Sequence, residues 1–287
     1  MNPYKTLIQS NIFIALAAVF LTGETQLQLG LKPHWNTYLF FIFFAVLFEY
    51  RFHQLLSVLT NQLIPKMDDD RQLPEIRKKI YFMVFFSGAG FLCSAFFVKI
   101  EVLFVFVPIA LLTLIYSILI FGNEKHVFGL RKIPFLKNLL IALVWSAATV
   151  FLPVFQSAQK FSFLDVFAIF LERFFFIFAL SIPFDIRDMA ADKQSGLKTV
   201  PILLNTQKAL IITYLSLGTS LIISVYHYSI RQEWFMITAF SISALSTSLF
   251  IGIKYFRNLT WYYEGILDGT IIFQAILVFV FYFITHS

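Results

Sequence analysis

Long apolar runs recur along the whole chain and alternate with short polar connections. Each run has about 18 residues or more, enough for a helix to cross the roughly 30 Å hydrocarbon core of a bilayer. The runs are continuous and lack the strict alternation of a barrel strand, so they indicate helices. The pattern predicts nine transmembrane helices, near residues 7–29, 36–60, 80–98, 101–121, 136–156, 162–184, 207–229, 234–253 and 265–284.

The composition is that of a membrane protein rather than a water-soluble one. Hydrophobic residues make up 59% of the chain, 38 residues are phenylalanine, and only 13% are charged. A soluble domain carries about 25% charged residues. The single Cys93 excludes an intrachain disulfide. We therefore expect an all-α fold, a polytopic membrane helical bundle built as one domain from residues 1–287 and surrounded by membrane lipid.

Lysine and arginine are distributed unevenly between the two sides of this predicted bundle. With the N-terminus in the cytoplasm, sixteen of the 22 basic residues fall in cytoplasmic segments and four in outer ones. This bias predicts a multi-pass protein of the inner (cell) membrane with a cytoplasmic N-terminus. The net charge of +6 follows from this topology, so it indicates no nucleic-acid partner. We expect function on the cytoplasmic side, where the charged loops 61–79, 122–135, 185–206 and 254–264 would lie.

Three acids follow directly after the sixth apolar run. Asp185, Asp188 and Asp192 are spaced i, i+3 and i+7, so a helix would place them within about 60° of one another. Three carboxylates on one face repel each other unless a cation binds them. Their place at the end of a membrane span suggests a Mg²⁺ ion bound to a diphosphate.

Basic residues are interleaved with these acids and would suit phosphate oxygens. They are Arg187, Lys193 and Lys198. Gly196 and Pro201 interrupt the segment, so we expect the helix to end there and a loop to fold back over the cytoplasmic mouth of the bundle.

Residues 185–201, with the sequence DIRDMAADKQSGLKTVP, resemble the second Asp-rich motif of the UbiA-type membrane prenyltransferases. The nine-span layout is also similar to that family, as is the segment 116–153 that leads into the fifth span. The resemblance covers essentially the whole chain. It implies an enzyme that moves a polyprenyl group from its diphosphate to an acceptor, with Mg²⁺ held by Asp185, Asp188 and Asp192.

The chain departs from the family pattern at the end of the second span. The family has a first Asp-rich motif there, whereas residues 48–59 read FEYRFHQLLSVL and contain no aspartate. Arg51 stands where the pattern has asparagine. One interpretation makes Arg51 a direct ligand of the diphosphate, which its planar guanidinium suits. The alternative makes it the structural partner of Asp185 or Asp188 across the bundle.

Four further residues are candidate substrate contacts at the cytoplasmic mouth. His53 is either a proton acceptor for the second substrate or an interfacial histidine. Tyr116 resembles a family tyrosine near the diphosphate, although tyrosines are also common at membrane interfaces. Lys137 and Asn138 begin the fifth span on the same side and are expected to bind substrate.

Other charged residues fit structural roles better. Glu172 and Arg173 lie in the middle of the sixth span, where we expect pairing within the bundle. The acids 68–70 are interpreted as a solvated loop rather than as a metal site.

Three functions of different classes are compatible with these features. The first is an active prenyltransferase. The second is a catalytically silent relative that binds an isoprenoid lipid or a membrane partner. The third is a transporter or another unrelated bundle, which is disfavoured because few polar residues lie at mid-membrane. The acceptor, the prenyl chain length and the oligomeric state are not encoded in any recognisable pattern.

Overall fold

A computed structural model of the protein describes residues 11–33, 36–59, 73–121, 133–194 and 196–286, without the side chains of 73–76, 114, 116 and 118–121. These ranges contain helices and no strand. A short helix, Lys254–Arg257, and a π-helical segment, Tyr262–Leu267, come between the last two long helices. The long helices are α1 (Ile12–Gln28), α2 (Tyr38–Leu59), α3 (Leu73–Ala95), α4 (Ile100–Phe121), α5 (Leu136–Gln156), α6 (Phe163–Gln194), α7 (Val200–Ile230), α8 (Trp234–Gly252) and α9 (Asp268–His286).

The helices have the length and surface of membrane spans. By length and composition, five helical segments of the described ranges could cross a bilayer, namely α2, α5, α7, α8 and the continuous stretch Tyr262–His286. Large apolar side chains such as Phe85, Phe96 and Phe163 are exposed on the outside of the bundle. An outward-facing surface of this kind suits lipid rather than water. The predicted all-α membrane bundle is therefore confirmed.

The segment around the Asp-rich motif is more helical than the sequence suggested. Helix α6 continues to Gln194, so the first half of the predicted loop 185–206 is helical, and the helix ends just before Gly196 as expected. Helix α7 begins at Val200 and is interrupted at Asn205, whose φ of 70° and ψ of 167° are not helical. The turn between α6 and α7 uses Gly196 at φ 75°, which favours glycine. Pro201 lies in the first turn of α7, where its missing N–H costs no hydrogen bond.

Helix α1 lies in the middle of the bundle. It packs against α2, α5 and α9, while α5 to α9 follow one another around it as consecutive neighbours. Small residues make this close approach feasible, because Ala15, Ala17 and Ala18 are fully buried and Gly23 faces the ring of Phe279.

A buried polar network connects α1 to α6. The Arg173 guanidinium pairs with Glu24 at 2.7 Å and also donates to the side-chain oxygens of Gln28 and Thr25, each at 2.7 Å. Gln28 in turn donates to Glu172 at 2.8 Å. The expectation that Glu172 and Arg173 pair within the bundle is confirmed, and their partners lie on α1.

Candidate functional site at the end of helix α6

Lys137 joins two of the three motif acids. Its Nζ lies 2.9 Å from Asp185 Oδ1 and 3.0 Å from Asp192 Oδ2. The acids are seven residues apart, which places them on one face of α6 two turns apart. Lys137 comes from the first turn of α5, so these ion pairs also fasten the beginning of α5 to the end of α6. All three side chains are largely buried, with exposures of 12% for Lys137, 1% for Asp185 and 10% for Asp192.

Asp188 is turned away from that pair. Both of its carboxylate oxygens accept hydrogen bonds from Arg187, at 2.9 and 3.1 Å, and its side chain is 38% exposed. The three acids lie on one continuous helix, as the spacing predicts, but only Asp185 and Asp192 share the Lys137 ammonium. Position i+7 nearly repeats the direction of position i, whereas i+3 is rotated by about 60° and here reaches the surface.

Arg187 also pairs with a second acid, Glu264, which no sequence motif indicated. Its Nη1 lies 2.7 Å from Glu264 Oε1, in the π-helical segment. The guanidinium also lies over the rings of Phe184 and Tyr263, 5.1 and 4.8 Å from their centroids. The only sequence signal for Glu264 was its place in a charged loop on the same predicted side. The predicted role of Arg187 as a phosphate ligand would require it to share or leave these contacts.

Two buried oxygens next to Lys137 have no hydrogen-bond partner within the described part of the chain. Asn138 donates to Ser181 Oγ at 2.9 Å, but its Oδ1 is unsatisfied, and so is Asp185 Oδ2. Both residues are essentially inaccessible to solvent. Buried acceptors are normally satisfied, and the Asn138 side chain interacts with the Asp185 carboxylate, so a half-turn of the Asn138 amide would let it donate to Asp185.

The charges at this end of the bundle influence one another. Burial raises the pKa of Asp192, while the Lys137 ammonium acts in the opposite direction. Burial alone would lower the pKa of Arg187, but Asp188 and Glu264 outweigh it, so the pKa is raised. The guanidinium therefore keeps its charge at any physiological pH.

Comparison with known proteins identifies the family. The model of the UbiA prenyltransferase family matches residues 15–260. The chain belongs to this family. No curated protein matches it. Membership excludes the hypothesis of an unrelated bundle.

Solved structures of UbiA homologues share the fold at low sequence identity. A UbiA homologue from Aeropyrum pernix K1 has a TM-score of 0.61 and 14% identity, covering 98% of this chain and 99% of the other. One from Archaeoglobus fulgidus, bound to DMAPP and Mg²⁺, has a TM-score of 0.60 and 16% identity, with 96% and 99% covered. A digeranylgeranylglyceryl phosphate synthase has a TM-score of 0.54 and 17% identity, with 99% and 98% covered.

In the segment 48–59, where the resemblance leads us to expect the first Asp-rich motif, α2 carries a buried cation. Arg51 is 4% exposed, and its Nη1 donates to Gln54 Oε1 at 2.6 Å. The acids that the structural alternative paired with Arg51 have other partners, since Lys137 contacts Asp185 and Arg187 contacts Asp188. The role of Arg51 as a diphosphate ligand stays a prediction.

The remaining predicted contacts lie in different surroundings. His53 Nε2 is 2.6 Å from Ser117 Oγ, which links α2 to α4. The side chains of Lys193 and Lys198 are exposed, and the Lys198 carbonyl accepts a hydrogen bond from the Phe135 N–H at 3.2 Å. The side chain of Tyr116 and the acids 68–70 lie outside the described residues.

The metal that the UbiA resemblance implies can be tested against these positions. The Lys137 ammonium shows that Asp185 and Asp192 are placed to share one cation, and Asp185 Oδ2 still lacks a donor. Among the described residues, no group of three His, Cys, Asp or Glu side chains could hold a metal. Mg²⁺ is commonly held by one or two carboxylates together with waters and substrate phosphates. Asp185 and Asp192 therefore fit Mg²⁺ as a two-carboxylate site, and Asp188 is not part of it in this arrangement.

Proposed function

We propose that the protein is a membrane prenyltransferase that binds a polyprenyl diphosphate at the end of α6 and transfers the prenyl group to an acceptor. The observation that carries this proposal is the complete Asp-rich motif, with Asp185 and Asp192 buried side by side on Lys137 at the end of an apolar bundle. A homologue of the same fold supports it, because the UbiA homologue from Archaeoglobus fulgidus has been solved bound to DMAPP and Mg²⁺ and bound to GPP and Mg²⁺.

The chemistry of prenyl transfer explains why such residues are needed. Breaking the allylic C–O bond is limited by the negative charge that develops on the diphosphate, and nearby cations stabilise that charge. Lys137 contacts the motif acids Asp185 and Asp192, and Arg51 is a buried cation in the stretch 48–59 that lacks the first motif. When bound, Mg²⁺ would supply additional positive charge to the leaving group. The prenyl tail would lie among the phenylalanine-rich helices, in contact with membrane lipid.

The geometry of the loops agrees with a reaction on one side of the membrane. Arg187 joins residues 185–206 to 254–264 through Glu264, and the Phe135 N–H donates to the Lys198 carbonyl just before α5 begins. Residues from three of the four predicted charged loops are therefore in contact at the motif end of the bundle. We propose that this end faces the cytoplasm, as the positive-inside bias predicts.

The direct test uses the purified full-length chain in lipid nanodiscs with radiolabelled prenyl diphosphates of several lengths. Quinone-precursor aromatics, tetrapyrroles and lipid alcohols would be offered as acceptors, with Mg²⁺ or with a chelator. We expect Mg²⁺-dependent transfer of the label to one acceptor class, with release of diphosphate. Failure of every prenyl diphosphate to bind in the presence of Mg²⁺ would refute the proposal.

A catalytically silent isoprenoid-binding protein is the second candidate, and one observation favours it. The acids of the first motif are replaced by a segment with the cation Arg51, so part of the usual metal chemistry is missing. The same experiment separates the two functions. A silent protein would bind prenyl diphosphate without releasing diphosphate under any acceptor condition.

Substitution of Arg51 tests its proposed contact with the diphosphate. We expect prenyl transfer to fall roughly 100-fold in Arg51→Ala, because one charge-assisted contact to the leaving group is lost. Arg51→Lys should recover only part of the rate, since a lysine cannot reproduce the bidentate guanidinium geometry. Rates would be compared at saturating substrate. Wild-type turnover in both variants would contradict the assignment.

A further inference from the structure

The contacts of Lys137 imply a competition at the Asp-rich motif. Its ammonium lies within 3.0 Å of one oxygen from Asp185 and one from Asp192. A divalent ion that bridges these same two oxygens would need the position of the ammonium, and two cations at one such point would repel strongly at low solvent exposure. Bridging of Asp185 Oδ1 and Asp192 Oδ2 by a metal and by Lys137 are therefore mutually exclusive.

We propose that Lys137 is a resident cation that competes with divalent metal for Asp185 and Asp192, and that it swings toward the phosphate oxygens when the metal enters. Lys137 keeps the two acids paired and close together, so their charges are partly balanced by an ammonium group of the chain itself. The second half of the proposal, the movement toward phosphate, rests on the proposed prenyl diphosphate site.

The surroundings of Lys137 are consistent with such a movement. It sits in the first turn of α5, and its side chain is not completely enclosed, with 12% exposed. A lysine ammonium is a compact charge on a flexible stem, so it can change partners without a change in the backbone.

Mn²⁺ binding without any diphosphate tests the competition itself. The full-length protein in nanodiscs would be titrated with Mn²⁺, with free Mn²⁺ measured by electron paramagnetic resonance. We expect Lys137→Met to bind Mn²⁺ at least about tenfold more tightly than the wild type, because the competing ammonium is removed. Lys137→Arg keeps a cation at this position and should resemble the wild type.

Matched variants show whether the gain belongs to this site. Lys208→Met removes the same charge from an exposed side chain of α7 outside the proposed site, so Mn²⁺ affinity should stay at the wild-type value. Adding Asp185→Asn to Lys137→Met should abolish the gain. Equal or weaker Mn²⁺ binding in a folded Lys137→Met protein, or an equal gain in Lys208→Met, would overturn the proposal. Lys137→Gln provides a second folded variant if methionine destabilises the bundle.

Prenyl diphosphate binding then tests the movement separately. In the presence of Mn²⁺, Lys137→Met should bind labelled prenyl diphosphate at least about tenfold more weakly than wild type, although it binds the metal more tightly. An unchanged diphosphate affinity would overturn the movement toward phosphate. If the wild type bound no prenyl diphosphate, the proposed function would fail, whereas the Mn²⁺ result would still decide the competition.

Discussion

Replacing Arg173 by methionine is expected to lower the free energy of unfolding by about 3–5 kcal/mol. No other substitution proposed for this protein is expected to destabilise it as much. Arg173 is completely buried and pairs with the equally buried Glu24. Its removal leaves the completely buried Glu24 carboxylate without its cation. Gln28 and Thr25 lose a donor in the same step.

The expected result would be measured as a large fall in the midpoint of thermal unfolding in a mild detergent. Arg231→Met is the matched control, because Arg231 is 24% exposed and pairs with Glu233, so its loss should cost about 1 kcal/mol or less. Combining Arg173→Met with Glu24→Gln removes both charges and should restore part of the stability. A double variant as unstable as the single one would show that the charge pair is not the cause.

Replacing Asp185 by asparagine is expected to reduce prenyl transfer by roughly 100-fold or more, the largest effect on activity. The substitution keeps the size of the side chain but removes the carboxylate that Lys137 contacts at 2.9 Å. It also removes half of the two-carboxylate site that fits Mg²⁺. Asp188→Asn should have a smaller effect of about tenfold, because Asp188 acts through Arg187 at the surface.

The measurement is the initial rate of label transfer at saturating prenyl diphosphate, with thermal midpoints recorded for every variant. Asp165→Asn is the control. Asp165 lies in the first turn of the same helix, at its opposite end, and is paired with His227 at 2.9 Å. Its rate should equal that of the wild type. Full activity in a folded Asp185→Asn protein would remove Asp185 from the catalytic site.

Contacts that follow from helical spacing could be predicted from the sequence, whereas the exposure and partner of each side chain could not. The pairing of Asp185 with Asp192 follows from helical periodicity, so the sequence could predict it. The partner of Asp188 could not be predicted, because a rotation of about 60° is enough to take a side chain from a buried contact to the surface, where Asp188 pairs with Arg187. The loop 185–206 turned out to be largely helical, since apolar runs mark the membrane core and not the ends of helices.

Partners from distant parts of the chain were the least predictable. Glu24 and Arg173 are separated by 149 residues, and no local pattern around Glu24 indicates a buried ion pair. The role of Glu264 was equally unpredictable, because its contact with Arg187 depends on the π-helical segment that brings Glu264 to the end of α6. The position of Arg173 inside a membrane span indicated that it must have a partner, but it did not identify Glu24 as that partner.

By itself, the sequence determined the membrane environment, the helical fold and the Asp-rich motif with its family. These properties depend on composition and local spacing, which one chain displays directly. Only the tertiary structure decided that Lys137 occupies the position between Asp185 and Asp192, that Arg187 is bound by Glu264, and that Arg173 holds α1 in the centre of the bundle. Such contacts join separate helices, and their energy depends on burial and on distances of about 3 Å that arise only when the helices pack.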